Sequence, residues 1–172
     1  MTHSDMVIRT AHARDAAAML ALFDKIDRET SFMLLEPGER RDTAREQAAT
    51  IEGFEADDGR VMLVAVASEE EVVGFCVAVT GQFARNSACA AIVMGVERAW
   101  WGRGVGASLL RDVERWATTR TLRRLELTVM AHNDRAIALY QHAGFDIEGT
   151  RRQSVRVGGE FRDEVYMAKI LI

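Results

Sequence analysis

The stretch Trp101-Gly102-Arg103-Gly104-Val105-Gly106-Ala107 constrains this chain more than any other. An apolar, strand-like run, Ala90-Ala91-Ile92-Val93-Met94-Gly95-Val96, precedes it. Behind it, Val105, Leu109, Val113 and Trp116 recur at helical spacing, with Arg111, Asp112, Glu114 and Arg115 on the other side. Glycines let backbone N–H groups come close to a ligand, and a helix start adds the positive end of a dipole. Strand, glycine loop and amphipathic helix in this order make a phosphate cradle, best suited to a pyrophosphate.

A chain of 172 residues suits a single domain, residues 1–172, large enough to bury a core. Its 48% hydrophobic and 28% charged residues are those of an ordinary globular protein, and the net charge of −4 argues against non-specific nucleic-acid binding. No apolar run reaches the roughly 20 residues of a membrane span. The start, Met1-Thr2-His3-Ser4-Asp5, lacks the basic and apolar regions of a signal peptide, so a cytoplasmic location is expected. Cys76 and Cys89 are too few for a disulfide framework and sit in apolar runs that suit buried free thiols. His3, His12, His132 and His142 share no metal-ligand spacing with one another or with the cysteines, so no metal is expected.

The patterning predicts a short strand at Val7 to Thr10 and a helix capped by Asp15 with Ala18, Leu22 and Ile26 inward. A second helix, about Glu39 to Ala56, follows the turn at Pro37-Gly38. Strands at Val61 to Ala67 and Val72 to Thr80 are joined by the acidic turn Ser68-Glu69-Glu70-Glu71. The strand Ala90 to Val96, the glycine loop and a helix to about Thr119 come next, then a strand from Arg124 to Met130. Asn133 or Asp134 caps a short helix that Gly144 ends, and a hairpin turns at Gly158-Gly159. The order is β, α, α, β, β, β, α, β, α, β, β. Sequential strands early and late predict antiparallel pairing, and the two late crossovers predict one parallel pair in the middle. A mixed α+β fold, with helices on both faces of a mostly antiparallel sheet, follows.

By itself the glycine loop is a weak signal, because Gly102-x-Gly104-x-x-Ala107 also fits a dinucleotide fingerprint. Against that, Glu97 to Trp101 lengthen a turn that should be tight, and Glu126 does not end its strand as the ribose-binding acid should. A Walker loop is excluded, since no glycine here is followed by Lys and then Ser or Thr. A second element, Asn133-x-x-Ala136-Ile137-x-Leu139-Tyr140-x-x-x-Gly144-Phe145, lies 27 residues beyond Gly106, counted from Gly106 to Asn133.

Together the two elements resemble the GNAT acetyltransferases, which bind acetyl-CoA and acetylate amines. The family's loop pattern, Gln/Arg-x-x-Gly-x-Gly/Ala, falls on Trp101 to Gly106, with Trp101 in place of the usual first residue. The tail from Gly144 through Glu148, Gly149, Arg151, Gly159, Asp163 and Met167 is similar to members acting on small amines, amino acids, polyamines and ribosomal-protein N-termini. The resemblance implies that Gly102, Arg103, Gly104, Val105, Gly106, Ala107 and Asn133 contact the cofactor. It also implies that a bulge at Gly95 splays the strands, so that Met94 and Val96 pair with the pantetheine. Tyr140 is implied as the general acid.

That role suits the chemistry. A departing thiolate, whose acid resembles Cys at about 8.5, benefits from a proton donor, and a tyrosine near about 10 is protonated at neutral pH. No Gly-x-Ser-x-Gly elbow calls for an acyl-enzyme, so direct transfer is expected. In ribosomal-protein acetyltransferases of the family a glutamate stands five residues before the asparagine. Here that position is Thr128, and Glu126, on the same strand face, is the candidate base, with Glu97 or a water relay as alternatives. From Asp24 to Asp58, eleven acidic residues face five basic ones, net −6, which is either an acidic rim drawing cationic acceptors or a solvated helical pair. Tails of this kind often accompany dimers, so a homodimer is expected. The hairpin should set Arg152, Ser154 and Arg156 on one face with Asp163 opposite Ser154. Two other functions compete with acetyl transfer: a non-catalytic acyl-CoA-binding sensor, and a nicotinamide-dependent oxidoreductase, which the loop spacing disfavours.

Overall fold

A computed structural model describes residues 6–67 and 71–172. His3 and most of the acidic turn, Ser68 to Glu70, lie outside the described residues. The elements run β1 (Val7–Thr10), α1 (Ala16–Glu29), α2 (Ala44–Glu55), β2 (Arg60–Val66), β3 (Val72–Thr80), β4 (Cys89–Val96), α3 (Val105–Thr119), β5 (Arg124–Met130), α4 (Asp134–His142), β6 (Asp146–Val157) and β7 (Glu160–Ile170). The seven strands form one sheet in the order β1-β2-β3-β4-β5-β7-β6. Among the described residues only β4 and β5 pair in parallel, as the crossover through α3 requires.

Alternation along β2 builds the two layers. Val61, Leu63 and Ala65 face the core that contains α3, whereas Met62 and Val64 face the core with α1 and α2. Helix α3 buries Val105, Leu109, Val113 and Trp116, the predicted stripe, together with Leu110 and Ala117. Helix α1 buries Leu22 and Ile26 as expected, with Met19 and Phe23 beside them and Ala18 half-buried. Gly74 lets α3 pack closely on β3, since a Cβ there would come within 3.1 Å of Val105 Cγ1.

Four local expectations are corrected. Asp15 occupies the cap position of α1, but its carboxylate turns back to accept from both Arg9 Nη atoms, at 2.7 and 2.8 Å, and from the His12 N–H at 2.8 Å. Helix α2 starts at Ala44 rather than near Glu39, because Thr43 and Glu46 form a reciprocal capping box that fixes the first turn there. Gly95 is not a bulge: β3 and β4 pair without a break from Gly74↔Val96 to Thr80↔Ala90. Glycine is required there because a Cβ would lie 2.7 Å from the Phe75 ring. In the last hairpin the two-residue turn forms, with Gly158 and Gly159 at φ +57 and +85. Asp163 does not pair with Ser154, however. The ladder slips between Arg151 and Val155, Gln153 takes φ +52, and its N–H donates to Asp163 Oδ1 at 2.8 Å. This bulge also breaks the alternation that would have aligned Arg152, Ser154 and Arg156.

Candidate active site

The one parallel pair opens the sheet. β4 and β5 are bonded only at Cys89↔Arg124, Ala90↔Leu125 and Ala91↔Glu126. Beyond that the strands part, although β4 stays paired to β3 as far as Val96 and β5 to β7 as far as Met130. The splaying that the bulge was expected to supply comes instead from this early end of pairing. The N–H of Glu97 and the C=O of Cys89 both turn toward β3. Strand alternation therefore points the backbone groups of Met94 and Val96 into the gap. By the same count, with the Ala131 N–H and Arg123 C=O turned toward β7, those of Thr128 point into the gap from the other side. A cavity of about 1110 Å³ fills this wedge.

One end of the cavity is the glycine loop. Gly102 and Gly104 take φ of +74 and +80, a region that side chains adopt at a cost, and a Cβ on Gly104 would meet nothing within 4 Å. Gly104 caps α3, whose first internal bond runs from the Ser108 N–H, so the N–H groups of Val105, Gly106 and Ala107 are left to a ligand. Gly106 has a packing role as well, since a Cβ would press within 2.8 Å of Leu139 on α4. The Trp101 indole N–H donates to the Val96 carbonyl at 2.8 Å, which ties the loop to the strand end and leaves Val96 its N–H. The Arg135 guanidinium lies 4.9 Å from the Trp101 ring centroid and lines the cavity beside Gly102. Arg103 does not line it, and its guanidinium rests over Trp100 at 5.0 Å.

Helix α4 forms the floor, and its ends are fixed locally. Asn133 Oδ1 accepts from the Ala136 N–H at 3.2 Å, the predicted cap, and Asn133 also faces the cavity. At the other end Gly144 takes φ +89. The Phe145 N–H bonds to the Tyr140 carbonyl and the Gly144 N–H to that of Gln141, both at 3.0 Å. This Schellman closure sets the Phe145 ring 5.8 Å from Tyr140. Tyr140 is thereby held with 7% of its surface exposed, and its hydroxyl bonds to no protein acceptor among the described residues. Burial is the main cause that raises its pKa above the usual phenol range. The hydroxyl therefore keeps its proton.

The other end of the cavity lies across the sheet. Leu125, Leu127 and Val129 belong to the α3 core, so Thr128 faces the opposite side. There the wall is made by Thr30, Phe32, Met33 and Leu34 after α1, by His132 against the Phe32 ring at 5.2 Å, and by Arg151, Ser154, Val155 and Glu164 of the hairpin. The cavity thus runs through the sheet, with Tyr140 and the glycine loop on one side and the hairpin on the other.

Neither candidate base reaches it. Glu126 sits where β4 and β5 are still bonded, and accepts from Arg124 Nε at 2.7 Å. Glu97 is buried against Lys25 Nζ. The acids from Asp24 to Asp58 contribute no carboxylate to the wall. Asp24 pairs with Arg28, Asp27 with Arg40, Glu55 with His12 and Asp57 with Arg60. His132, Arg135 and Glu164 carry no sequence signal for this site, and Arg151 is marked in the sequence only as part of the tail pattern; their convergence in space distinguishes them from surface charges. Among the described residues, no group of three or more His, Cys, Asp or Glu could hold a metal ion, and no helix is long and apolar enough to cross a membrane.

The Acetyltransferase (GNAT) family matches residues 20–145. The L-amino acid N-acetyltransferase AaaT of Escherichia coli (strain K12) is 33% identical over 116 residues, 67% of this chain and 72% of that protein. The crystal structure of a GNAT-family acetyltransferase from Streptococcus pneumoniae superposes with TM-score 0.92 at 28% identity, covering 98% of this chain and 100% of that one. The same fold occurs in YncA of Salmonella typhimurium, a putative acetyltransferase solved with acetyl-CoA. Its TM-score is 0.85 at 21% identity, over 97% of this chain and 94% of that one. The wedge between parting parallel strands, the glycine cradle and a family match over most of the chain converge: the chain belongs to the GNAT family and is an acetyl-CoA-dependent N-acetyltransferase.

Proposed function

We propose that the protein moves the acetyl group of acetyl-CoA directly to the primary amine of an acceptor within a ternary complex. The observation that carries this reading is the cavity passing through the sheet, lined by the glycine loop and Tyr140 on one side and by the hairpin on the other, so that cofactor and acceptor approach each other from opposite faces. On the loop side, the free N–H groups of Val105, Gly106 and Ala107, with Gly102 and Gly104 clearing the approach, hold the pyrophosphate. Asn133 adds a polar contact at the start of α4, and Arg103 supports the loop from outside. Met94 and Val96 offer strand-like backbone partners to the pantetheine arm. Acetyl-CoA, when bound, supplies the activated acyl group.

The chain's residues then manage two protons. The amine nitrogen bonds to the acetyl carbon as the carbon–sulfur bond breaks, the Tyr140 hydroxyl donates its proton to the departing sulfur, and water in the cavity returns a proton to the tyrosine oxygen. The proton released by the amine leaves through water or to His132, because Glu126 is held by Arg124 outside the cavity. The Val96 N–H, turned into the gap, is placed to stabilise the carbonyl oxygen as charge builds on it.

The acceptor is a small molecule, an amino acid, a polyamine or a protein N-terminus, and the setting is cytoplasmic. A homodimer is part of this reading. It is supported by Ile147, Phe161, Tyr166 and Ile170, which are exposed along β6 and β7 at one edge of the sheet. Light scattering should give twice the 19.2 kDa of one chain, and a monomer at assay concentrations would remove the dimer. The central test has two parts. Acetyl-CoA but not NAD should raise the melting temperature. CoA thiol should then be released with at least one member of a panel of amino acids, polyamines, aminoglycosides and N-terminal peptides. Binding without release from any amine would make the chain a non-catalytic acyl-CoA-binding module.

A further inference from the structure

Given acetyl transfer at this site, the chemistry of the acceptor can be read from the far wall of the cavity. Its two charged side chains are Arg151 and Glu164, directly opposite each other across β6 and β7, with Arg151 Nη1 2.9 Å from Glu164 Oε2. Both are incompletely used. A guanidinium carries five N–H donors, yet among the described residues only Nη1 of Arg151 donates. Its Cζ lies 5.6 Å from the Tyr166 ring centroid, and the side chain is 43% exposed, so the remaining donors face the open cavity and solvent. Glu164 Oε1 likewise has no partner among the described residues, although the side chain is only 13% exposed. The rest of the wall is mainly apolar, with Phe32, Met33, Leu34, Met130 and Val155 interspersed with Thr30, Thr128, His132 and Ser154.

We infer that the acceptor is a free α-amino acid with an apolar side chain, whose carboxylate is bound by the unused donors of Arg151. A zwitterion presents one negative and one positive group a few bonds apart, which matches a guanidinium and a carboxylate side by side. Carboxylate on guanidinium is a geometry that arginine serves especially well, because two parallel N–H donors meet two oxygens. The ammonium, before it loses its proton, is drawn to Glu164, and the apolar wall takes the side chain. A polyamine would set a second cation against Arg151, and no carboxylate of the Asp24–Asp58 segment lines the wall to compensate. A peptide N-terminus would leave Arg151 without a carboxylate. Arg151 is in this view a specificity residue, not a catalytic one.

The test compares kcat/KM for leucine, methionine and phenylalanine with their carboxamides, and with putrescine and a short N-terminal peptide. In the native enzyme, replacing carboxylate by carboxamide should lower kcat/KM by about 10²-fold or more, and putrescine and peptide should be poorer still. Arg151→Met should lower kcat/KM for the free amino acid by a similar factor and leave the carboxamide nearly unchanged, so that the preference collapses. Arg151→Lys should restore part of it. The dissociation constant for acetyl-CoA should be the same in all three proteins. Equal use of acid and amide, a preference for putrescine or peptide, or equal loss on both substrates in Arg151→Met would overturn the assignment and leave a structural cross-strand pair. Those results would leave acetyl transfer intact. CoA release with none of the amines would defeat acetyl transfer itself, and the amino-acid assignment with it.

Discussion

Tyr140→Phe separates chemistry from architecture at the floor of the cavity. The residue is 7% exposed and its ring centroid lies 5.8 Å from that of Phe145, and phenylalanine keeps both the ring and that contact. Only the hydroxyl goes, and it bonds to no protein acceptor among the described residues. Folding stability should therefore change by less than about 1 kcal/mol, the range of a single hydrogen bond to water or protein. The loss of a general acid is of another size, about 10²- to 10⁴-fold in kcat. At about 1.4 kcal/mol per decade, that is about 3–5 kcal/mol on the barrier, well above any change in stability. The assay is CoA thiol release under saturating acetyl-CoA, with the cofactor dissociation constant and melting temperature measured on the same preparations. The expected pattern is a collapsed kcat with the other two quantities unchanged. Burial raises the Tyr140 pKa, so the phenol stays protonated beyond the alkaline end of an ordinary pH profile. Any alkaline fall in kcat of the native enzyme below about pH 10 should then persist in Tyr140→Phe, because another group causes it. A fully active Tyr140→Phe would refute the reasoning and leave water as the proton donor.

Gly104→Val should raise the acetyl-CoA dissociation constant sharply. A β-branched residue is strained at φ +80, and its side chain occupies the open space above the free N–H groups; isothermal titration on a folded variant checks this, and unchanged affinity would remove the loop assignment. Asn133→Ala should cost about 1 kcal/mol of stability through loss of the bond to the Ala136 N–H, and it should weaken cofactor binding with a smaller effect on kcat than Tyr140→Phe; melting and titration together separate the two. Stability should fall in alkali. Burial pushes the Cys76 thiol up to about 12, whereas the unfolded thiol ionises near about 8.5, so the contribution is fully present below that pH and is lost as pH rises toward 12. Denaturant titrations from pH 7 to 11 should show this decline, and Cys76→Ala should make it shallower.

What the sequence determined by itself was whatever local periodicity and local chemistry encode. The apolar stripe of α3, the Asn133 cap, the Gly144 stop and the Gly158-Gly159 turn each depend on residues within a few positions of one another, and each formed where the pattern placed it. The element order and the single parallel pair followed from these, because crossover connections leave little topological choice. Contacts between distant segments were decided only by tertiary structure. Gly95 reads as a bulge until Phe75 from the neighbouring strand is seen to fill its Cβ position. Glu126 shares a strand face with Thr128, but how far the parallel pairing extends decided that it stays beside Arg124 while Thr128 enters the cavity. Asp15 looks like a helix cap until Arg9 takes its carboxylate. Arg151 and Glu164 are thirteen positions apart, and nothing in their spacing joins them. The bulge at Gln153 and the hydrogen-bond register of β6 on β7 bring them together, because a ladder converts sequence distance into side-chain contact only once its register is fixed.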